Sequence, residues 1–219
     1  VWYDYRDGNG EIYYKRSTDN GTNWGSDIRL TNAIYESALP AIAFVNPYVH
    51  VVWMDARDGN WEIYYKRSTD NGINWGSDTR LTSNPDTSWG PSVAVLSNNV
   101  HVVWHETRDR NYEIYYKRST DNGTNWESDT RLTNDPSKSY MPSVAVAGTY
   151  VHVVWSERRD GSDDIYYKRS TDSGANWGSD IRLTINPDAS LAPSIAASNP
   201  YVHVVWEDFR DGDYEIYYK

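Results

Sequence analysis

Five carboxylate–arginine pairs in this chain are spaced for chemistry. They are Asp4/Arg6, Asp55/Arg57, Glu106/Arg108, Glu157/Arg159 and Asp208/Arg210, each two residues behind a tryptophan. An arginine beside a carboxylate keeps it ionised, and such pairs can bind or activate hydroxylated and anionic substrates. In a strand, residues two apart share a face, so Trp53, Asp55 and Arg57 point one way and Val52, Met54 and Ala56 the other. The competing reading is an ion pair buried between neighbouring structural units, where a charge needs a partner. Repetition favours that reading. A catalytic site needs different residues in different roles, and here one set recurs five times.

Two further constellations rank lower. Asp7-x-Asn9-x-Glu11, Asp58-x-Asn60-x-Glu62 and Asp211-x-Asp213-x-Glu215 superficially resemble calcium loops. They lack the rest of the twelve-residue pattern, so calcium is an option the spacing does not favour, and no other cofactor is implied. His50, His101, His152 and His203 occupy one repeat position and read as packing or hydrogen-bonding residues. They do not read as one zinc site. His105 stands outside that register.

The elements that position these groups follow a period of 51 residues with no insertion or deletion. Glu11–Lys15 returns as Glu62–Lys66, Glu113–Lys117, Asp164–Lys168 and Glu215–Lys219; copies begin near residues 1, 52, 103, 154 and 205. One period predicts four strands: A over 142–146, B over 151–155, C over 164–169 and D over 177–184. Each is β-branched or aromatic and bounded by Gly, Pro, Asn or Asp. No window has a helical period. The expectation is one all-β domain over 1–219, a β-propeller of about five four-stranded antiparallel blades. The first blade lacks strand A and the last lacks strand D. Ala43, Ala94, Ala145 and Ala196 on strand A suit the innermost position.

The C–D turn reads Ser17-Thr18-Asp19-Asn20-Gly21-Thr22-Asn23-Trp24 and returns at 68–75, 119–126 and 170–177. This resembles the Asp-box, or bacterial neuraminidase repeat, Ser-x-Asp-x-Gly-x-x-Trp, and the resemblance covers the whole chain. Its residues here are Asp19, Gly21 and Trp24; Asp70, Gly72 and Trp75; Asp121, Gly123 and Trp126; and Asp172, Gly174 and Trp177. Each Asp is expected to accept backbone amide bonds, each Gly to take a positive φ, and each Trp to pack under the hairpin. The resemblance implies a sialidase-like propeller, probed for activity by three arginines from different blades, a Tyr nucleophile paired with Glu, and an Asp acid/base. Arg57, Arg108 and Arg159 are the first arginine candidates. The family's Arg-Ile-Pro motif is absent, and catalytic residues are assigned to none of the repeated positions.

Variation between copies marks surfaces that the scaffold does not dictate. It concentrates in the B–C turns (6–10, 57–61, 108–112, 159–163 and 210–214) and in the ends of the D–A connections. Both loop sets should emerge opposite the Asp-boxes. Trp61, Trp89, Tyr112, Tyr140 and Tyr214 would then stand among carboxylates and amides, as a sugar-binding surface requires. Covering the blade ends is the alternative use for these aromatics.

The chain has 219 residues, a net charge of -10 and no cysteine. The acidic balance argues against nucleic acid, and no apolar run is long enough to insert in a membrane. Without cysteine there is no disulfide framework or thiolate metal site. The chain opens inside a repeat, which reads as a processed or truncated product. The leading expectation is a secreted or surface-displayed, non-catalytic module that binds a glycan or cell-surface polysaccharide. The alternatives are a divergent sialidase or other glycoside hydrolase, and a structural protein that self-associates through open edge strands.

Overall fold

The computed structural model describes residues 1–159 and 161–219. Asp160 of the fourth B–C turn lies outside the described residues. The chain divides into two compact units, Val1–Pro91 and Ser92–Lys219. All regular structure among the described residues is β-strand, in antiparallel sheets joined in sequence order.

The first unit holds a three-stranded sheet of β1 (Trp2–Asp4), β2 (Glu11–Tyr14) and β3 (Ile28–Arg29). Beside it in sequence is a four-stranded sheet of β4 (Ser37–Val45), β5 (Tyr48–Asp55), β6 (Glu62–Ser68) and β7 (Thr79–Arg80). β8 (Ser88–Leu96) crosses the division and joins β9 (Asn99–Glu106), β10 (Glu113–Ser119) and β11 (Thr130–Arg131). The second unit continues with β12 (Ser139–Ala147), β13 (Tyr150–Glu157), β14 (Asp164–Ser170) and β15 (Ile181–Arg182). It ends in a three-stranded sheet of β16 (Ser190–Ser198), β17 (Tyr201–Asp208) and β18 (Glu215–Tyr218). These are blades of the propeller type, with the first and last sheets one strand short as the repeat arithmetic requires.

Two strand boundaries depart from expectation. The predicted D strand over 177–184 shrinks to Ile181–Arg182. Gly178 N–H instead bonds Arg169 O at 2.9 Å, so the residues after Trp177 close a turn. Strand A starts earlier, at Ser139, because a bulge between Tyr140 and Ser143 absorbs Pro142. The same bulge falls at Pro40 and Pro193. Proline cannot donate to a ladder, and a bulge is where a strand tolerates that. The residue before each of these prolines takes a positive φ: Leu39 (48°), Met141 (53°) and Ala192 (49°), with Gly90 (59°) before Pro91 in the remaining copy.

The pleat puts the apolar residues between sheets. In the first unit Ile12, Tyr14, Leu30, Val51, Trp53 and Tyr64 form one buried cluster. In the second unit Val103, Tyr116, Val144, Val153, Trp155 and Tyr166 form its counterpart. Across strands, Trp53 stacks on Tyr64 at 6.0 Å and Trp155 on Tyr166 at 6.1 Å.

Candidate functional site

The repeated acid–arginine pairs prove to be blade struts. Asp55 is fully buried at the end of β5 and accepts from Trp53 Nε1 at 2.9 Å, Ser37 Oγ at 2.9 Å and Arg57 Nη2 at 2.6 Å. Arg57 also donates to Asp78 at 2.8 Å, and its guanidinium lies 4.5 Å from the Tyr64 ring centre. Lys66 completes the group by pairing with Asp78 at 2.9 Å. Arg108 and Arg159 repeat this with Glu106/Asp129 and Glu157/Asp180. The pairs close within their own sheet, with the arginine half-exposed at its edge, and they face the preceding sheet: Lys66 Nζ also donates to Leu30 O, and Lys168 Nζ to Leu132 O. Arg159 does reach Asp135, from the preceding connection, at 3.0 Å.

Asp55 and Glu157 shift in opposite directions. Burial pushes Asp55 up, but bonds from Arg57, Trp53 and the Arg57 backbone N–H outweigh it and hold the group below its ordinary value. Burial pushes Glu157 up, and there its Trp155 and Arg159 bonds do not overcome it. The shorter Asp side chain reaches the backbone N–H two residues on, at 3.0 Å. Asp55 also accepts from Ser37, whereas the nearby charge of Asp135 pushes Glu157 further up.

The turns that resemble calcium loops are filled by protein partners. Asn60 Nδ2 bonds Asn84 O and Asp86 O, Glu62 accepts from Thr82 Oγ1 at 2.5 Å and Arg80 at 2.7 Å, and Asp58 accepts the Tyr64 hydroxyl. Among the described residues no group of three or more His, Cys, Asp or Glu is arranged to hold a metal ion. His50 and His101 are buried, and each shares a hydrogen bond with a tyrosine hydroxyl, Tyr65 at 2.8 Å and Tyr116 at 2.7 Å. Burial lowers both imidazoles to about 4, so they are neutral at pH 7.

The turns that resemble the Asp-box form as their residue types dictate. Asp70 Oδ1 accepts from Asn74 N–H at 2.8 Å, Ser68 Oγ accepts from Gly72 N–H at 2.8 Å, and Asn71 and Gly72 both take positive φ. Asp121 and Asp172 repeat the geometry. Bonds from the backbone and side chain of the Asn four residues on lower each of these carboxyls to about 2. The tryptophan packs against the preceding sheet. Trp75 packs edge-on to Tyr14 of the preceding sheet at 5.0 Å, and Trp177 to Tyr116 at 4.9 Å.

Strand direction puts the B–C turns and D–A connections at the other end of each sheet, and hydrogen bonds join them. Asn9 Nδ2 bonds Ala33 O and Tyr35 O; Asn111 Nδ2 bonds Asp135 O and Ser137 O. In the first unit Ser88 N–H bonds Trp61 O at 2.8 Å, which brings the half-buried Trp61 beside Trp89. In the second unit Ser139 N–H bonds Tyr112 O at 2.8 Å, which does the same for Tyr112 and Tyr140.

Those two tyrosines line a pocket of about 290 Å³ with His105, Lys138, Arg158 and Asp163. The Tyr112 ring lies 5.6 Å from the His105 ring and 5.4 Å from Lys138 Nζ. Tyr140 donates its hydroxyl to Asp163 Oδ1 at 2.7 Å. Tyr214 is exposed, packs on Phe209 at 5.2 Å, and stands close enough to Tyr140 to act on its ionisation. Burial lowers His105 to about 4, so the wall it forms is uncharged. Lys138 and Arg158 are exposed at the mouth. The pocket thus offers ring faces inside and two cations and one occupied carboxylate at its rim. Sequence reasoning named Tyr112, Tyr140 and Tyr214 but passed over Lys138 and Arg158. All six lining residues differ from most of their repeat equivalents, and that divergence was the signal available.

No model of a known protein family matches the chain, and no curated protein does. Solved structures do. The chain is similar to a Trypanosoma rangeli sialidase in complex with sialic acid, with a TM-score of 0.63 and 14% identity over 99% of this chain and 40% of that one. It is similar also to a mutant of that sialidase displaying trans-sialidase activity (0.62, 14%, 96% and 39%). A NanB sialidase mutant from Streptococcus pneumoniae gives 0.61 and 14% over 92% and 32%. The chain spans two fifths or less of these neighbours' length. At such identities the likeness establishes the fold alone, an all-β array of blades of the sialidase propeller type.

Proposed function

We propose that the chain is a non-catalytic, extracellular glycan-binding module that uses the loop end of its blades. The pocket of Tyr112, Tyr140, His105, Lys138, Arg158 and Asp163 carries this reading. Tyrosine faces stack on the apolar face of a pyranose, and rim cations and the carboxylate direct hydrogen bonds to its hydroxyls. Against catalysis stands the engagement of the candidate arginines, since Arg57, Arg108 and Arg159 are each held by acids of their own sheet and by a tyrosine ring.

The test is a broad glycan array with the purified chain, run beside hydrolysis of a fluorogenic sialoside. The expected result is selective, saturable binding without turnover, weakened about tenfold or more by Tyr112→Ala or Tyr140→Ala. Binding untouched by both substitutions would move the site elsewhere. Turnover of the sialoside would establish the second reading, a divergent sialidase, which the fold of the neighbouring structures supports.

A further inference from the structure

Arg159 carries one carboxylate more than its counterparts in the two sheets before it. Arg57 and Arg108 each hold two acids of their own sheet, Asp55 with Asp78 and Glu106 with Asp129. Arg159 holds Glu157 at 2.6 Å and Asp180 at 3.1 Å, and also Asp135 at 3.0 Å from the connection before β12. Three carboxylates around one guanidinium leave an excess of negative charge. Burial raises Glu157, and the charge of Asp135 raises it further. The connection itself does not require an Asp there. Asp135 Oδ1 accepts from Ser137 N–H at 2.9 Å, and Asn84 and Asn186 accept the equivalent bonds from Asp86 and Asp188 at 2.8 Å. The first copy carries Ala33 at this position. A charge that the local structure neither needs nor favours points to a role at a site.

Both ends of this ion pair adjoin the loop pocket of about 290 Å³. Lys138 follows Asp135 by three residues, Arg158 precedes Arg159 by one, and both line that pocket. Arg158 N–H bonds Lys138 O at 3.2 Å, so connection and turn also meet through the backbone. The copies diverge together here. Where this connection has Lys138 the others carry Glu36, Thr87 and Ala189, and where this turn has Arg158 the others carry Tyr5, Ala56, Thr107 and Phe209. The connection with an acid at the position of Asp135 is thus the one with a cation three residues on, and it meets the turn that supplies a second cation.

We propose that Asp135 is a positioning residue of this pocket, an inference that rests on the glycan-binding reading. By gripping Arg159 it ties the connection that carries Lys138 to the turn that carries Arg158. Lys138 Nζ lies 5.4 Å from the Tyr112 ring centre, and both cationic side chains are exposed, so their placement depends on the backbone beneath them. Segments held in place before a ligand arrives lose less entropy when it binds. Asp135 acts through Arg159 and the backbone, while the rings of Tyr112 and Tyr140 and the two cations meet the sugar.

Two variants of the full chain separate positioning from plain structural support. Asp135→Asn keeps the Ser137 bond, as Asn84 and Asn186 do, and can reach Glu157 as Asn186 reaches Asp208 at 3.0 Å. Asp135→Ala, the residue of the first copy, removes every side-chain link. Asp135→Asn should unfold at the same or a higher denaturant concentration, because it relieves the excess charge. Its affinity for the array glycan that the wild type binds most tightly should nevertheless fall about threefold, and that of Asp135→Ala about tenfold. Asp135→Glu, which keeps the charge, should recover most of the affinity. Measured without ligand, the Arg158 amide should exchange about tenfold faster in Asp135→Ala. Unchanged Arg158 exchange in Asp135→Ala overturns the proposal, as does an affinity that falls only in step with stability. A wild-type chain that binds no glycan overturns the functional reading instead, and ligand-free exchange still decides whether Asp135 holds the turn.

Discussion

The first and fourth Ser-x-Asp-x-Gly turns have almost the same sequence and opposite surroundings. Asp19 accepts from Asn23 N–H and Asp172 from Asn176 N–H, both at 2.8 Å, and Gly21 and Gly174 share a φ near 85°. Yet Trp24 is 61% exposed, while Trp177 is half-buried on Tyr116. A Cβ at Gly21 would meet nothing within 4 Å, whereas one at Gly174 would overlap the Tyr116 hydroxyl. The turn is thus built locally, but its tight fit is imposed by the sheet before it. A motif can be conserved in form at two places and do half its work at only one.

Glycine substitution should separate the two turns most. Gly174→Ala adds overlap with Tyr116 to the left-handed backbone penalty, and should destabilise by about 3 kcal/mol. Gly21→Ala carries the backbone penalty alone, about 1 kcal/mol. Equal losses in chemical denaturation would break the contrast. Tryptophan removal should follow the same order with smaller effects: Trp177→Ala at about 2 kcal/mol, below the range for a fully buried ring, and Trp24→Ala within about 0.5 kcal/mol. A large loss at Trp24 would break the contrast by showing that the first turn is covered in solution.

Acid should act on the two turns alike. Asp19 and Asp172 are both lowered from 3.8 to about 2, chiefly by Asn23 and Asn176. A carboxyl whose folded value lies below its unfolded one adds stability that is full above 3.8 and fades as pH falls toward 2. Stability measured across that window should drop, and Asp19→Asn and Asp172→Asn should flatten the drop by similar amounts. Flattening by Asp172→Asn alone would show that the preceding sheet also sets the turn's electrostatics.

Much of this was legible because the repeat multiplies each signal. Alternation around Trp53, Asp55 and Arg57 gave the shared face, and Ser-x-Asp-x-Gly gave the turn bonds. What the repeat hides is which copy a side chain touches. Period alone places Trp75 equally well under its own hairpin or on Tyr14, and only packing decides. Strand D was overread because Trp177 and Ile181 carry strand preference while Gly178, Ser179 and Asp180 between them continue the turn. The loop pocket was half legible. Its tyrosines are conspicuous, but Lys138 and Arg158 look like ordinary surface charges until the B–C turn and the D–A connection are seen side by side.

The bonds of the Ser-x-Asp-x-Gly turns span only two to four residues. Contacts so short in sequence close with little loss of chain entropy, within the microseconds typical of hairpins. Four such turns can therefore nucleate independently, and the slow step left to the chain is choosing among four nearly identical hairpins as partners. Translation, which releases them one at a time from the N-terminus, would make that choice in order.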